Sequence, residues 1–128
     1  MSTAITRGVR VTVESFYLKE QSVPREHRYR FAYSVRILNE GLDTVQLEGR
    51  HWIITNGNGH VDEVRGSGVV GAQPTLQPGQ GFEYTSGCEL VTPRGTMRGS
   101  YQMIIAGSGE RFDAAIAVFE LSLPLTLN

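Results

Sequence analysis

The residues whose spacing most readily suggests chemistry are glycines: Gly66-Ser67-Gly68-Val69-Val70-Gly71 matches G-x-G-x-x-G. In a dinucleotide site that pattern leaves an apolar strand and opens a helix whose N-terminus faces the pyrophosphate. Here the preceding residues, His60-Val61-Asp62-Glu63-Val64-Arg65, are largely polar, and the following ones include Pro74 and Pro78, which exclude a helix. A weaker chemistry survives. Successive N–H groups of a glycine loop can form an anion-binding nest, with Arg65 beside it. Arg65, Gly66, Gly68 and Gly71 are therefore the candidate loop for a phosphate or pyrophosphate anion. The competing expectation is a tight bend in which glycine supplies positive φ or a close backbone approach.

The other reactive side chains offer less. His27, His51 and His60 have no metal-ligand spacing with one another or with Cys88, so neither a metal site nor a cofactor is expected. His60 and Asp62 share a strand face with Glu63 adjacent, which suits a solvated hairpin edge better than a cation site. Cys88 alternates in phase with Phe82 and Tyr84, the signature of a buried structural thiol, not a nucleophile. Ser86 has the same phase, and no G-x-S-x-G elbow occurs. No residue is assigned a catalytic role, and the chain is not expected to be an enzyme. A second candidate surface is cationic: Arg28, Arg30 and Arg36 fall on one strand face, with Ala32 and Ser34 between them. Such a stripe is either ion-paired to glutamates of neighbouring strands or a flat patch for an acidic partner.

These residues sit on strands. From Arg28 to Leu38, the residues Tyr29, Phe31, Tyr33, Val35 and Ile37 alternate with Arg28, Arg30, Ala32, Ser34 and Arg36, a period of two. Val9, Val11 and Val13 repeat the pattern, as do Phe82 to Leu90 and Met97 to Ile105. Turn signals such as Asn39-Glu40-Gly41, Asn56-Gly57-Asn58-Gly59 and Thr92-Pro93-Arg94-Gly95 separate the segments, and no segment shows helical periodicity. About seven or eight strands point to an all-β antiparallel sandwich of the immunoglobulin or fibronectin-III kind, one domain over residues 1–128. Two strands change phase midway. Val45 and Leu47 are odd while Trp52 and Ile54 are even; Ile116 is even while Phe119 and Leu121 are odd. Bulges near Gly49 and near Ala117–Val118 keep both halves of each strand facing the core. Tyr29, Phe31, Tyr33, Trp52, Tyr84 and Tyr101 are the expected buried aromatics.

The bulk numbers exclude several classes. A net charge of −1 supplies no field for nucleic acid or an anionic membrane. The single cysteine excludes an internal disulfide and fits a reducing cytosol. Met1 to Arg7 has no apolar run of the signal-peptide kind, and the longest apolar run, Ala114 to Phe119, is far too short to span a bilayer. A cytoplasmic location follows as the expectation, with another protein as the partner and a monomer or weak homodimer as the state.

Four blocks carry a resemblance: Arg50-His51-Trp52-Ile53-Ile54-Thr55, Val64 to Pro74, Phe82 to Cys88, and Thr92 to Met103. In that order they resemble the bacterial ApaG family over nearly the whole chain. One departure is visible: the family commonly reads I-P-x-F near the last strand, where this chain has Ile116-Ala117-Val118-Phe119. The resemblance implies a fibronectin-III-like sandwich and a non-catalytic interaction module with an indirect link to cobalt and magnesium efflux. It also implies a phosphate-binding alternative, a nucleotide-binding protein or weak hydrolase, at Gly66, Gly68 and Gly71.

Overall fold

The computed structural model describes residues 1–124. In chain order the strands are β1 (Ser2–Thr6), β2 (Val9–Tyr17), β3 (Tyr29–Asn39), β4 (Val45–Asn56), β5 (Val61–Ser67), β6 (Thr75–Leu76), β7 (Gly81–Leu90), β8 (Arg94–Ile105) and β9 (Arg111–Ser122). Two single 3₁₀ turns, Lys19–Gln21 and Pro24–Glu26, bridge β2 and β3. All strand pairings are antiparallel, and they form two sheets: β1-β2-β3-β7, and β5-β4-β8-β9 with β6 also paired to β4. The chain is thus an all-β sandwich. The alternation legible in the sequence falls on β2, β3, β4, β7, β8 and β9, whereas β5 is exposed along almost its whole length. The short β1 and β6 are additional.

One core lies between the sheets. Tyr33 of the first sheet packs edge-on against Trp52 of the second, with ring centroids 5.2 Å apart, and Phe119 and Tyr101 flank Trp52 at 5.9 and 6.2 Å. Such tilted arrangements let ring edges meet ring faces. Val9, Val11, Val13, Phe31 and Ile37 are almost completely buried from one side, and Leu47, Met97, Met103 and Leu121 from the other. Of the six aromatics expected in the core, Tyr29 and Tyr84 are only half-buried. Tyr29 opens β3 at the end of its sheet, and Tyr84 lies on β7, an edge strand with a neighbour on one side only.

Both bulges occur. Leu47 pairs with Met103 and Gly49 with Gln102, leaving Glu48 as the extra residue. Met97 pairs with Phe119 and Gly99 with Ile116, leaving Ala117 and Val118 opposite Arg98. The second bulge forms without the family's proline, so the demand to bury Ile116 and Phe119 together suffices to place it. Among the described residues the sandwich is closed along one side only. There β9 leans on β1 and β2, with Ser15 Oγ donating to Glu120 O at 2.7 Å and Ala115 N to Thr6 Oγ1 at 3.0 Å.

Candidate functional site: the glycine loop and the arginine face

Each glycine of the loop has a local cause. Gly66 lies within β5 opposite Arg50 of β4. A Cβ there would meet the Arg50 guanidinium carbon at 2.8 Å, so the missing side chain is what lets the guanidinium lie across the strand. From there Arg50 Nη1 donates to Ser67 O at 3.0 Å and to Gly68 O at 2.8 Å. Gly68 has φ +61°, and a Cβ on it would fall 2.3 Å from Ala72 O. Val69 and Ala72 exchange backbone hydrogen bonds at 2.9 and 2.8 Å, closing a two-residue turn at Val70-Gly71. Both turn residues have positive φ, +42° at Val70 and +81° at Gly71, the combination a type I′ turn requires. Val70 is a β-branched residue held in that region, a strained state that the flanking pair of hydrogen bonds maintains.

Three of the loop's amides are engaged. Gly68 N donates to Glu48 O at 2.8 Å, and those of Val69 and Ala72 serve the turn. The cation that reaches the loop is Arg50, while Arg65 is exposed on β5. Arg50 was detectable in the sequence: past the bulge it shares its parity with Trp52 and Ile54, so it points inward. There it lies near the inner tyrosines, and burial raises Tyr33, Tyr84 and Tyr101 above the usual phenol value, with Arg50 as a minor opposing influence. The hydroxyls of Tyr84 and Tyr101 hydrogen-bond to each other across the core.

The arginine stripe lies on the outer face of the first sheet. Register explains its partners: Arg36 is directly opposite Glu83, and Arg30 directly opposite Glu89. Arg36 Nε is 3.0 Å from Glu83 Oε1, while Arg28 and Arg30 approach Glu89 Oε1 at 3.6 and 3.8 Å. Arg28 itself precedes β3, in an isolated bridge to Val23. Next to the stripe, Thr12, Glu14, Ser34, Arg36, Glu83 and Thr85 line a shallow depression of about 440 Å³.

The remaining sequence candidates separate. His60 Nε2 lies 3.2 Å from Asp62 Oδ1 on an exposed hairpin. His51 faces Glu63 at 3.4 Å on the other side of that strand pair. Among the described residues no group of three or more His, Cys, Asp or Glu side chains is placed to hold a metal ion. Cys88 is half-buried on the inner side of β7, and that burial pushes its thiol up to about 11. No helix among the described residues is long and apolar enough to cross a membrane.

Against known families, the ApaG domain matches residues 19–105, which include the glycine loop, Arg50 and the whole arginine face. The chain belongs to the ApaG family. Its similarity to ApaG proteins extends beyond the domain: it is 56% identical to Protein ApaG of Rhodospirillum centenum over 97% of this chain and 95% of that protein. The match to Protein ApaG of Brucella anthropi is 52% identical with the same coverage. The crystal structure of the putative ApaA protein from Bordetella pertussis superposes with a TM-score of 0.89 at 52% identity, over 92% of this chain and 95% of that one. An ApaG-family sandwich is therefore the scaffold on which the loop and the arginine face are held.

Proposed function

We propose that this ApaG-family chain is a non-catalytic binding module that acts in the cytoplasm by engaging another protein. The observation that carries the reading is the outer face of β1-β2-β3-β7. It presents a shallow surface on which Arg36 with Glu83, and Arg28 and Arg30 with Glu89, set opposite charges side by side. Mixed, paired charge on a flat sheet suits a protein partner better than a free anion, which needs a concave, uncompensated cationic site. The state of Cys88 supports the same reading, since a thiol with its pKa near 11 is protonated at neutral pH and is a poor nucleophile. The rival is phosphate or pyrophosphate capture at Arg65, Gly66, Gly68 and Gly71. It is less favoured because the Gly68, Val69 and Ala72 amides already donate to backbone carbonyls. An influence on cobalt and magnesium efflux would run through the protein partner.

The test is capture from native cytosol on immobilised protein, identification of the retained protein, and reconstitution from the two purified components. Arg28→Glu/Arg30→Glu/Arg36→Glu should weaken the reconstituted complex. A partner that binds this variant and the wild type equally would remove the arginine face from the reading. Multiple-turnover cleavage of a pyrophosphate-containing nucleotide by the purified chain would overturn the non-catalytic assignment.

A further inference from the structure

We infer that the free edge of β7 is a strand-addition site. Its occupant is an extended peptide segment with apolar residues at alternate positions and a cation at each end. The inference rests on the binding-module reading and adds to the arginine face a separate edge contact, where one extended segment of the partner docks. The direction of the β7 backbone can be worked out from two hydrogen bonds. Leu18 N donates to Arg30 O at 2.8 Å, which turns the even-numbered residues of β3 toward β2 and the odd-numbered ones toward β7. Asn39 N donating to Gln80 O at 2.9 Å, in line with the β3–β7 register, confirms this phase. Because hydrogen-bonded and free positions alternate in an antiparallel pair, Phe82, Tyr84, Ser86, Cys88 and Leu90 face β3 with their backbone groups. Gly81, Glu83, Thr85, Gly87 and Glu89 present theirs to the other side, where no described strand pairs with them. An unpaired row of this length is a template for another strand.

The side chains state what that strand should contain. On the inner side, Phe82, Tyr84, Ser86 and Cys88 are only half-buried, whereas the inward residues of the central strand β3, such as Phe31 and Ile37, are almost fully covered. Across the open side of the sandwich, Val64 of β5 is 41% exposed. An added strand would set three inward residues beside Tyr84, Ser86 and Cys88, and apolar side chains there would cover this gap. On the outer side, the same strand would run past Glu83, Thr85, Gly87 and Glu89. Arg36 holds Glu83 through Oε1 at 3.0 Å, and Arg28 and Arg30 approach Glu89 Oε1 at 3.6 and 3.8 Å, so the second oxygen of each carboxylate retains capacity for another cation. A second copy of this chain is the wrong occupant: β7 carries Glu83 and Glu89 and no basic residue, so self-pairing would crowd carboxylates along the seam. The edge thus repels its own kind and accepts a basic, alternating strand.

The experiment uses the full chain labelled with ¹⁵N and the peptide Lys-Ile-Thr-Val-Thr-Ile-Lys, capped at both ends. Antiparallel pairing puts its lysines opposite Glu83 and Glu89 and its Ile-Val-Ile side chains inward. Saturable amide shifts centred on Glu83, Thr85 and Gly87 are expected. N-methylation of both threonines removes two ladder donors and should weaken binding on the order of tenfold or more, because each lost hydrogen bond contributes about 0.5–1.5 kcal/mol. Exchanging both lysines for glutamate should abolish the shifts. Equal binding of the N-methylated peptide overturns strand addition, as does an absence of shifts at millimolar peptide. Shifts confined to β5, or to Arg28, Arg30 and Arg36 with β7 silent, overturn the β7 assignment while leaving the binding-module reading intact. Protection of the β7 amides by dimerisation of the protein alone would assign the edge to a second copy and overturn the peptide. The reconstituted complex described above tests the parent reading independently of this peptide.

Discussion

If the glycine loop is built around Arg50, its three glycines should differ sharply in what an alanine costs. Gly71→Ala places a Cβ in open space at φ +81°, so only the left-handed penalty applies, about 1–2 kcal/mol. Gly68→Ala incurs a similar backbone penalty at φ +61°, and its Cβ also sits 2.3 Å from Ala72 O. That carbonyl must retreat, which loosens the bond it accepts from Val69 N, and Val69 is fully buried. A lost buried hydrogen bond adds about 1–3 kcal/mol, so Gly68→Ala should cost on the order of 2–5 kcal/mol. Gly66→Ala has no φ penalty. Its Cβ displaces the end of the Arg50 side chain, and two charge-assisted bonds, to Ser67 O and Gly68 O, are lost or weakened. Solvent can partly replace the contacts of a half-buried guanidinium, so about 1–2 kcal/mol is expected.

The decisive comparison is a double-mutant cycle. Arg50→Ala removes the same two bonds, so Gly66→Ala in that background should cost almost nothing. The pair should therefore show a coupling of about 1–2 kcal/mol, where independent sites add to within about 0.3–0.5 kcal/mol. Urea unfolding followed by Trp52 fluorescence gives the stabilities of the wild type and all five variants at unchanged m-value. Additivity of Gly66→Ala and Arg50→Ala would refute the cradle, and a Gly71→Ala as costly as Gly68→Ala would refute the steric account of the turn.

Four further outcomes are expected. Trp52→Ala, at a residue only 2% exposed, should lose about 3–5 kcal/mol by urea unfolding; a loss below about 1 kcal/mol would contradict its place in the core. Burial raises the Cys88 thiol from 9.0 to about 11, so the native state holds its proton where the unfolded chain releases it. Stability should consequently fall as pH rises through that window, with the raised tyrosines extending the fall, and alkylation of native Cys88 should stay slow until the same window; a fast reaction at neutral pH would disprove it. Calorimetric titration with magnesium or cobalt should find at most millimolar affinity, and a stoichiometric micromolar site would count against the protein-partner reading. Pyrophosphate at millimolar concentration should leave the amides of Gly66, Gly68 and Gly71 unshifted, whereas saturable shifts lost in Arg65→Ala would promote the anion-binding rival.

What the sequence disclosed depended on how far each structural fact is local. Alternation is local, so β3, β7 and β8 can be read directly, and the phase changes around Gly49 and Ala117–Val118 locate both bulges. The strand β1 escaped because its inward residues, Ser2, Ala4 and Thr6, are small or polar and produce no apolar alternation; its place comes from pairing with β2. Register is a property of two strands, so nothing within β3 alone indicates that Arg36 faces Glu83 and Arg30 faces Glu89. Arg50 is the intermediate case. Its parity with Trp52 marks it as inward, but an inward arginine is intelligible only once a glycine opposite it, Gly66, is known to leave the room. The G-x-G-x-x-G pattern therefore reflects three separate requirements: space for a guanidinium at Gly66, close approach to Ala72 at Gly68, and a left-handed turn position at Gly71. A motif of glycines records where a side chain is forbidden, and only the surroundings tell whether a ligand or the protein's own atoms forbid it. At Gly66 and Gly68 those atoms are Arg50 and Ala72.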